Sequence, residues 1–186
     1  MNYATFWQRL GAMLIDFFVI TPPSLFLGWL QSSSKIAACI LVIPLAASYC
    51  GYTIYCHGRF GQTVGKHVMR IRVMRMTGER IGWREAWLRS LVDVAYSILY
   101  VISMFYALAT ISDANFYGAG WPHVSRNLQA ASPAWFASAT SVEGIWMWSE
   151  VIVMLFNKRR RALHDFIAGT VVVAEQKVSA IQPLAA

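Results

Sequence analysis

The sequence predicts an all-α membrane protein, a bundle of four transmembrane helices with a small cytoplasmic β-prone element. Three observations carry this. Of 186 residues, 57% are hydrophobic and 13% charged, where a soluble domain carries roughly 25% charged residues. Apolar runs at 6–30, 36–55, 88–111 and 135–156 each approach or exceed the roughly 20 residues that cross a bilayer. The basic residues between the runs gather on one side.

The first run, 6–30, has Pro22 and Pro23 near its far end, which predicts a kink or an early helix stop. Arg9 and Asp16 lie in it one heptad apart, on one side of the helix. Asp16 is about ten residues in, or roughly 15 Å along the axis, near mid-bilayer. A carboxylate there costs about 2.5–3.5 kcal/mol to insert, so it needs a partner or a purpose. The run is too long for a signal-peptide core, holds a charge and lacks a small-residue cleavage site, so it is expected to remain as a span. The second run, 36–55, is uncharged. Cys39, Cys50 and Cys56 lie in or beside it with no CxxC spacing, and read as small core residues. The third, 88–111, holds Asp93 near its start. The fourth, 135–156, carries Glu143 and Glu150 one heptad apart, and its Ser, Gly and Glu content predicts packing against neighbours.

Arg59, Lys66, Arg70, Arg72, Arg75, Arg80, Arg84 and Arg89 follow the second run, and Lys158 to Arg161 follow the fourth; the other side receives Lys35 and Arg126. The positive-inside rule therefore places both termini in the cytoplasm. Topology and contact with anionic headgroups account for the net charge of +7 without a nucleic-acid partner. In the basic loop, Arg70 and Arg72 alternate with Ile71 and Val73, and Thr77 and Gly78 supply a turn. Residues 83–89 read as an amphipathic lead-in on the membrane surface, with Glu85, Arg89 and Asp93 as a charge ladder on one face. The aromatic and Gly-rich segment 112–133 is expected to rest on the outer interface or to cap the bundle. Residues 1–174 read as one membrane domain and 175–186 as a flexible cytoplasmic tail.

The charged residues inside the runs permit two readings. If the first and fourth spans turn their acidic faces inward, Asp16, Glu143 and Glu150 share the bundle interior, with Asp93 and Arg89 near its cytoplasmic mouth. Carboxylates gathered in low dielectric suit proton exchange or cation coordination. Alternatively, they pair with Arg9, Arg89 or hydroxyl and backbone partners and hold the helices together. Gly61, Gln62, Thr63, Val64, Gly65 and Lys66 imitate a phosphate loop. They are one residue short between the glycines, have no Ser or Thr after the lysine and follow no βαβ pattern. His57, His67, His123 and His164 show no metal-ligand spacing. No nucleophile, metal site or cofactor motif stands out, so no enzyme and no cofactor are expected.

Three ordered motifs resemble the RDD family of small bacterial integral membrane proteins, named for an arginine and two aspartates. Arg9 to Asp16 matches the family's Arg and first Asp. Gly61 to Lys66, then Ile71-Arg72-Val73, Gly78 and Trp87-Leu88-Arg89, resembles its cytoplasmic signature. Arg161 to Asp165 and Ala168 to Val172 resemble its closing motif. Asp165 is read as the second named aspartate, with Asp93 as the alternative. Val64 stands where many members have proline. The resemblance implies a bundle fold in the bacterial inner membrane and little chemistry, ion transport having been proposed for some members. Asp165 follows the fourth span closely enough to return to Arg9 or Arg89 as a cytoplasmic clasp beneath Asp16. Residues 170–174 are β-prone and suited to pair with 67–76.

Two functions stay open: cation or proton transport centred on Asp16, or a non-transporting scaffold or accessory subunit whose basic loop binds lipid or a partner protein. Four spans enclose little pathway in one protomer, which favours a homo-oligomer or the second reading.

Overall fold

A computed structural model describes residues 2–117 and 120–175. The expected tail at 175–186 falls, apart from Glu175, outside the described residues. Among the described residues, four helices are long and apolar enough to cross a membrane: α1 (Phe6–Gln31), α2 (Lys35–Phe60), α5 (Leu91–Thr110) and α8 (Ala134–Phe156). Short elements cluster at the ends of these four. They are α3 (Val64–Val68), β1 (Ile71–Arg75), α4 (Trp83–Arg89), α6 (Asp113–Tyr117), α7 (Trp121–Ala130), α9 (Leu163–Ile167) and β2 (Thr170–Ala174).

Local sequence fixes the boundaries. Thr5 and Gln8 cap α1 reciprocally, each side chain accepting the other's backbone N–H. The helix runs through Pro22 and Pro23 to Gln31, so of the expected kink or early stop, the stop does not occur. In hydrocarbon no water replaces a lost helix bond, and the chain keeps every remaining backbone pair by staying helical. Ser34 caps α2, and Gly61 ends it in the left-handed region at φ +73°. This helix extends five residues beyond the predicted 55. The predicted third span divides at Ser90 into α4 and α5.

The long helices are neighbours in the order α1, α2, α5, α8. Small polar contacts stitch them: Ser24 to Ser48 at 3.4 Å, Cys50 to Ser97 at 3.3 Å and Tyr96 to Thr140 at 3.5 Å. Their outer faces carry exposed apolar side chains such as Phe17, Phe18, Phe26, Ile40, Ile98 and Ile145, as lipid-facing surfaces require. One end of the row carries α6 and α7. There Val124 and Leu128 pack with Ala38, Ala107, Leu108, Ile111 and Phe116, so α6 and α7 cap α2 and α5.

The other, basic end is more elaborate. Strands β1 and β2 pair antiparallel, with Ile71 opposite Ala174, Val73 opposite Val172 and Arg75 opposite Thr170. The N-terminal residues join β2 on its free edge through Ala4 N–H to Val172 O at 3.0 Å and Ala174 N–H to Asn2 O at 2.8 Å. Ile71, Val73 and Val172 bury themselves with Ala4, Ala12 and Ile81, while Arg72 turns outward to pair with Glu175 at 3.1 Å. The β-prone element is thus a small capping sheet over the start of α1.

Candidate functional site

Two hydrogen-bonded networks occupy the basic end, one around Asp16 and one around Asp165. Asp16 is buried on the face of α1 toward α2 and α3. Its Oδ1 accepts from the Tyr52 hydroxyl at 2.6 Å and from Gly65 N–H at 2.7 Å, and its Oδ2 accepts from Thr63 Oγ1 at 2.6 Å. Thr63 in turn caps α3 by accepting from Lys66 N–H. The Val64 N–H donates to the Tyr52 oxygen at 2.9 Å. A negative charge therefore meets the free N–H groups at the start of a helical turn, the place where backbone donors favour an anion. Glycine at 65 is a steric requirement. A Cβ there would lie 2.0 Å from the Ala12 carbonyl oxygen, so only Gly lets α3 lie against α1.

Asp165 is fully buried at the centre of the second network. Its Oδ2 accepts from Arg9 Nη1 at 2.9 Å and from Ala162 N–H at 3.0 Å. Its Oδ1 accepts from Arg89 Nη1 and from Thr170 Oγ1. Arg161 adds a hydrogen bond to the Asp165 carbonyl at 2.7 Å and lies over the Phe166 ring. Burial alone would raise the Asp165 pKa, but the charges of Arg89, His164 and Arg9 override it and hold the carboxyl well below its usual range. One carboxylate thereby joins α1, α4, α9 and β2. His164 extends the network to α8, where Glu150 accepts from the His164 backbone N–H at 3.2 Å and meets its Nδ1.

Asp16 and the acids of the fourth span have different bonding partners: Asp16 binds donors of α2 and α3, and Glu150 meets His164 of α9. Asp16 faces the α2–α3 side of α1 through Tyr52, Thr63 and Gly65. Glu143 and Glu150 instead share the α5–α8 side with Asp93, within Coulombic range of it. Arg89 is buried against Asp165. The charge ladder of Glu85, Arg89 and Asp93 is replaced by longer-range pairs, with Glu85 bound to Arg75 at 3.0 Å. Among the described residues, no three His, Cys, Asp or Glu side chains gather in a group able to hold a metal.

A family model for the RDD family matches residues 3–169. The chain belongs to the RDD family. A relative from Bacillus subtilis (strain 168), "Uncharacterized protein YckC", is 28% identical over 118 residues, covering 59% of this chain and 72% of the relative. No solved structure matches. Within this RDD-family chain Arg9, Asp16 and Asp165 divide between the two networks. Arg9 and Asp165 bind each other, while Asp16 holds the loop signature.

Several working residues lie outside the named motif charges. Tyr52, Thr63 and Gly65 complete the Asp16 network, and the last two were visible only as part of a glycine-bearing loop. Thr170 and Arg161 serve Asp165 from within the closing motif. His57 carries no sequence signal, yet it is buried and its Nε2 lies 3.0 Å from Lys66 Nζ.

Proposed function

We propose that this RDD-family protein is a non-transporting scaffold or accessory subunit of the bacterial inner membrane, with both termini in the cytoplasm and no catalytic role. The observation that carries this reading is the commitment of Asp16. The carboxylate that a conduit would need is engaged by the donors of Tyr52, Thr63 and Gly65, one from α2 and two from the loop that follows it. Its charge fixes the fold of the basic loop.

The surface of the basic end favours an anionic leaflet as its partner. Arg59, Arg70, Arg80, Arg84, Lys158, Arg159 and Arg160 are exposed there, beside exposed Trp83 and Trp87 on α4. Each Lys or Arg near an anionic surface contributes about 1 kcal/mol, and tryptophan anchors at the headgroup level. The networks around Asp16 and Asp165 then serve as the rigid base that presents this collar to lipid and to a partner subunit.

Cation and proton flux in proteoliposomes tests the reading. Wild type and Asp16→Asn are expected to give the same background flux, and anionic lipid is expected to raise the thermal midpoint relative to zwitterionic lipid. Flux above protein-free liposomes that Asp16→Asn abolishes would establish transport instead.

A further inference from the structure

His57 and Lys66 stand apart from both carboxylate networks and are not explained by either. His57 lies in the last turn of α2 with 4% of its surface exposed, and Lys66 lies in α3. Lys66 Nζ and His57 Nε2 are 3.0 Å apart. Both atoms are bases, so a hydrogen bond between them requires one proton and admits only one. Either the ammonium donates to the imidazole lone pair, or the imidazole N–H donates to a neutral amine. The second ring nitrogen, Nδ1, is buried and makes no hydrogen bond among the described residues.

We infer that His57 and Lys66 form a one-proton latch that fastens α3 to the end of α2, and that binding of a second proton releases it. The surroundings set the direction. Arg9 and Asp16 face the pair from α1, Cys56 from α2 itself, Arg89 from α4, and His164 and Asp165 from α9. Asp16 and Asp165 already bind donors of their own, so a doubly protonated pair would place two cations at hydrogen-bond distance beside two arginines. Lys66 already shows the pressure: burial, then the charge of Arg89, lowers its pKa to about 8. Loss of the proton on the alkaline side leaves a pair that still bonds, because a neutral amine accepts from the ring. Gain of a proton leaves two donors and no acceptor. Acidification, and not alkalinisation, opens the latch.

The consequence falls on α3. Its backbone bonds from His67 N–H to Thr63 O and from Met69 N–H to Gly65 O report whether it stays docked. The experiment is hydrogen exchange of the full chain in zwitterionic nanodiscs, with protection factors corrected for intrinsic rates, from about pH 8 down to about pH 4, past the ordinary histidine range. Protection at His67 and Met69 is expected to fall about tenfold or more on acidification in wild type. It should stay level in His57→Gln, whose amide oxygen still accepts from Lys66, and in Lys66→Gln, whose amide oxygen accepts from the ring whether or not His57 takes a further proton. His164→Gln should keep the wild-type response. Ring nitrogen shifts of His57 in wild type give an independent reading and should change together with α3 protection. Flat wild-type protection, a pH response that survives in either glutamine variant at the latch, or a response lost only in His164→Gln would each overturn the proposal.

Discussion

Arg9 and Asp165 are 156 positions apart in sequence and 2.9 Å apart in the structure. Their contact closes the chain on itself, tying the first turn of α1 to the helix that follows the last span. Arg89 reaches the other oxygen of the same carboxylate, so two arginines converge on one acid. The acid is therefore the indispensable member. Either arginine can leave with the other still neutralising Asp165, whereas losing Asp165 strands two buried cations.

That asymmetry predicts unequal costs. Asp165→Asn should destabilise by about 3–5 kcal/mol, the range for breaking a buried charge pair and leaving its partners unpaired. Arg9→Met keeps the hydrophobic stem and leaves Arg89 in place, so it should cost about 1–3 kcal/mol, the loss of one charge-assisted bond. Thermal unfolding of the two variants in one detergent checks the order, and an Arg9 variant as damaging as the Asp165 variant would contradict it.

The same geometry bears on a charge swap. Exchanging the residues, Arg9→Asp with Asp165→Arg, would rescue an isolated pair. Here the new arginine would face Arg89, at a site whose hydrogen-bonding partner Thr170 is also buried. The double variant should therefore remain at least as unstable as Asp165→Asn. A double-mutant cycle, including Arg89→Met with the swap, measures whether the like charge at 89 is the obstacle.

Much of this architecture was legible in sequence, and the reasons are physical. Long apolar runs must be helical in lipid because every backbone group has to pair internally, so all four spans could be placed within a few residues. The alternation around Ile71 and Val73 announced a strand, and Asp165 was legible as a partner for Arg9 or Arg89 because the chain returns so soon after the fourth span. Helix order was not legible. Periodicity placed Asp16 on a face but did not say which helix that face meets, and the answer came from α3, a turn of five residues too short to carry a period. The pairing of His57 with Lys66 was invisible for the same reason, since it depends on the chain reversing at Gly61.

Asp16 and Gly65 form a second pair with separable roles. Gly65→Ala brings a methyl to 2.0 Å of the Ala12 carbonyl oxygen, against backbone that cannot move aside without shifting α1. A cost at or above about 1–3 kcal/mol is expected, as for overpacking. Asp16→Asn preserves the volume and loses the charge, for about 1.5–3 kcal/mol. Both should lower hydrogen-exchange protection of α3, but Asp16→Asn alone should weaken the Tyr52 hydroxyl bond, visible in the tyrosine ultraviolet resonance Raman bands.

Val64→Pro tests how far the start of α3 depends on its backbone donor. Val64 is the first residue of α3 after its cap Thr63, the helical position where proline fits best. The substitution removes the N–H that donates to Tyr52 at 2.9 Å, worth about 0.5–1.5 kcal/mol. It also restricts the unfolded chain, worth about 0.4–1 kcal/mol in return. The two nearly cancel, so a thermal midpoint close to wild type is expected, and a large loss would mean that the Tyr52 bond is more important to the loop than its exposed position implies.

The pH dependence of stability has a definite sign at both extremes. The unfolded Asp165 takes a proton near 3.8, whereas the folded carboxyl is held well below that value. The unfolded ensemble thus binds more protons in that window, and the stability Asp165 supplies above it is lost as pH falls through it. Lys66 acts in the same sense at the other end. Its pKa is lowered from 10.5 to about 8 in the folded protein, so between those values the unfolded chain again holds the extra proton and stability rises with pH. Lys66→Gln removes that contribution while leaving the other titrating groups in place. Its midpoint relative to wild type should be most favourable near neutrality and should decline steadily from about pH 8 toward about pH 10. A constant difference across that range would show that Lys66 keeps an ordinary ammonium in the folded protein.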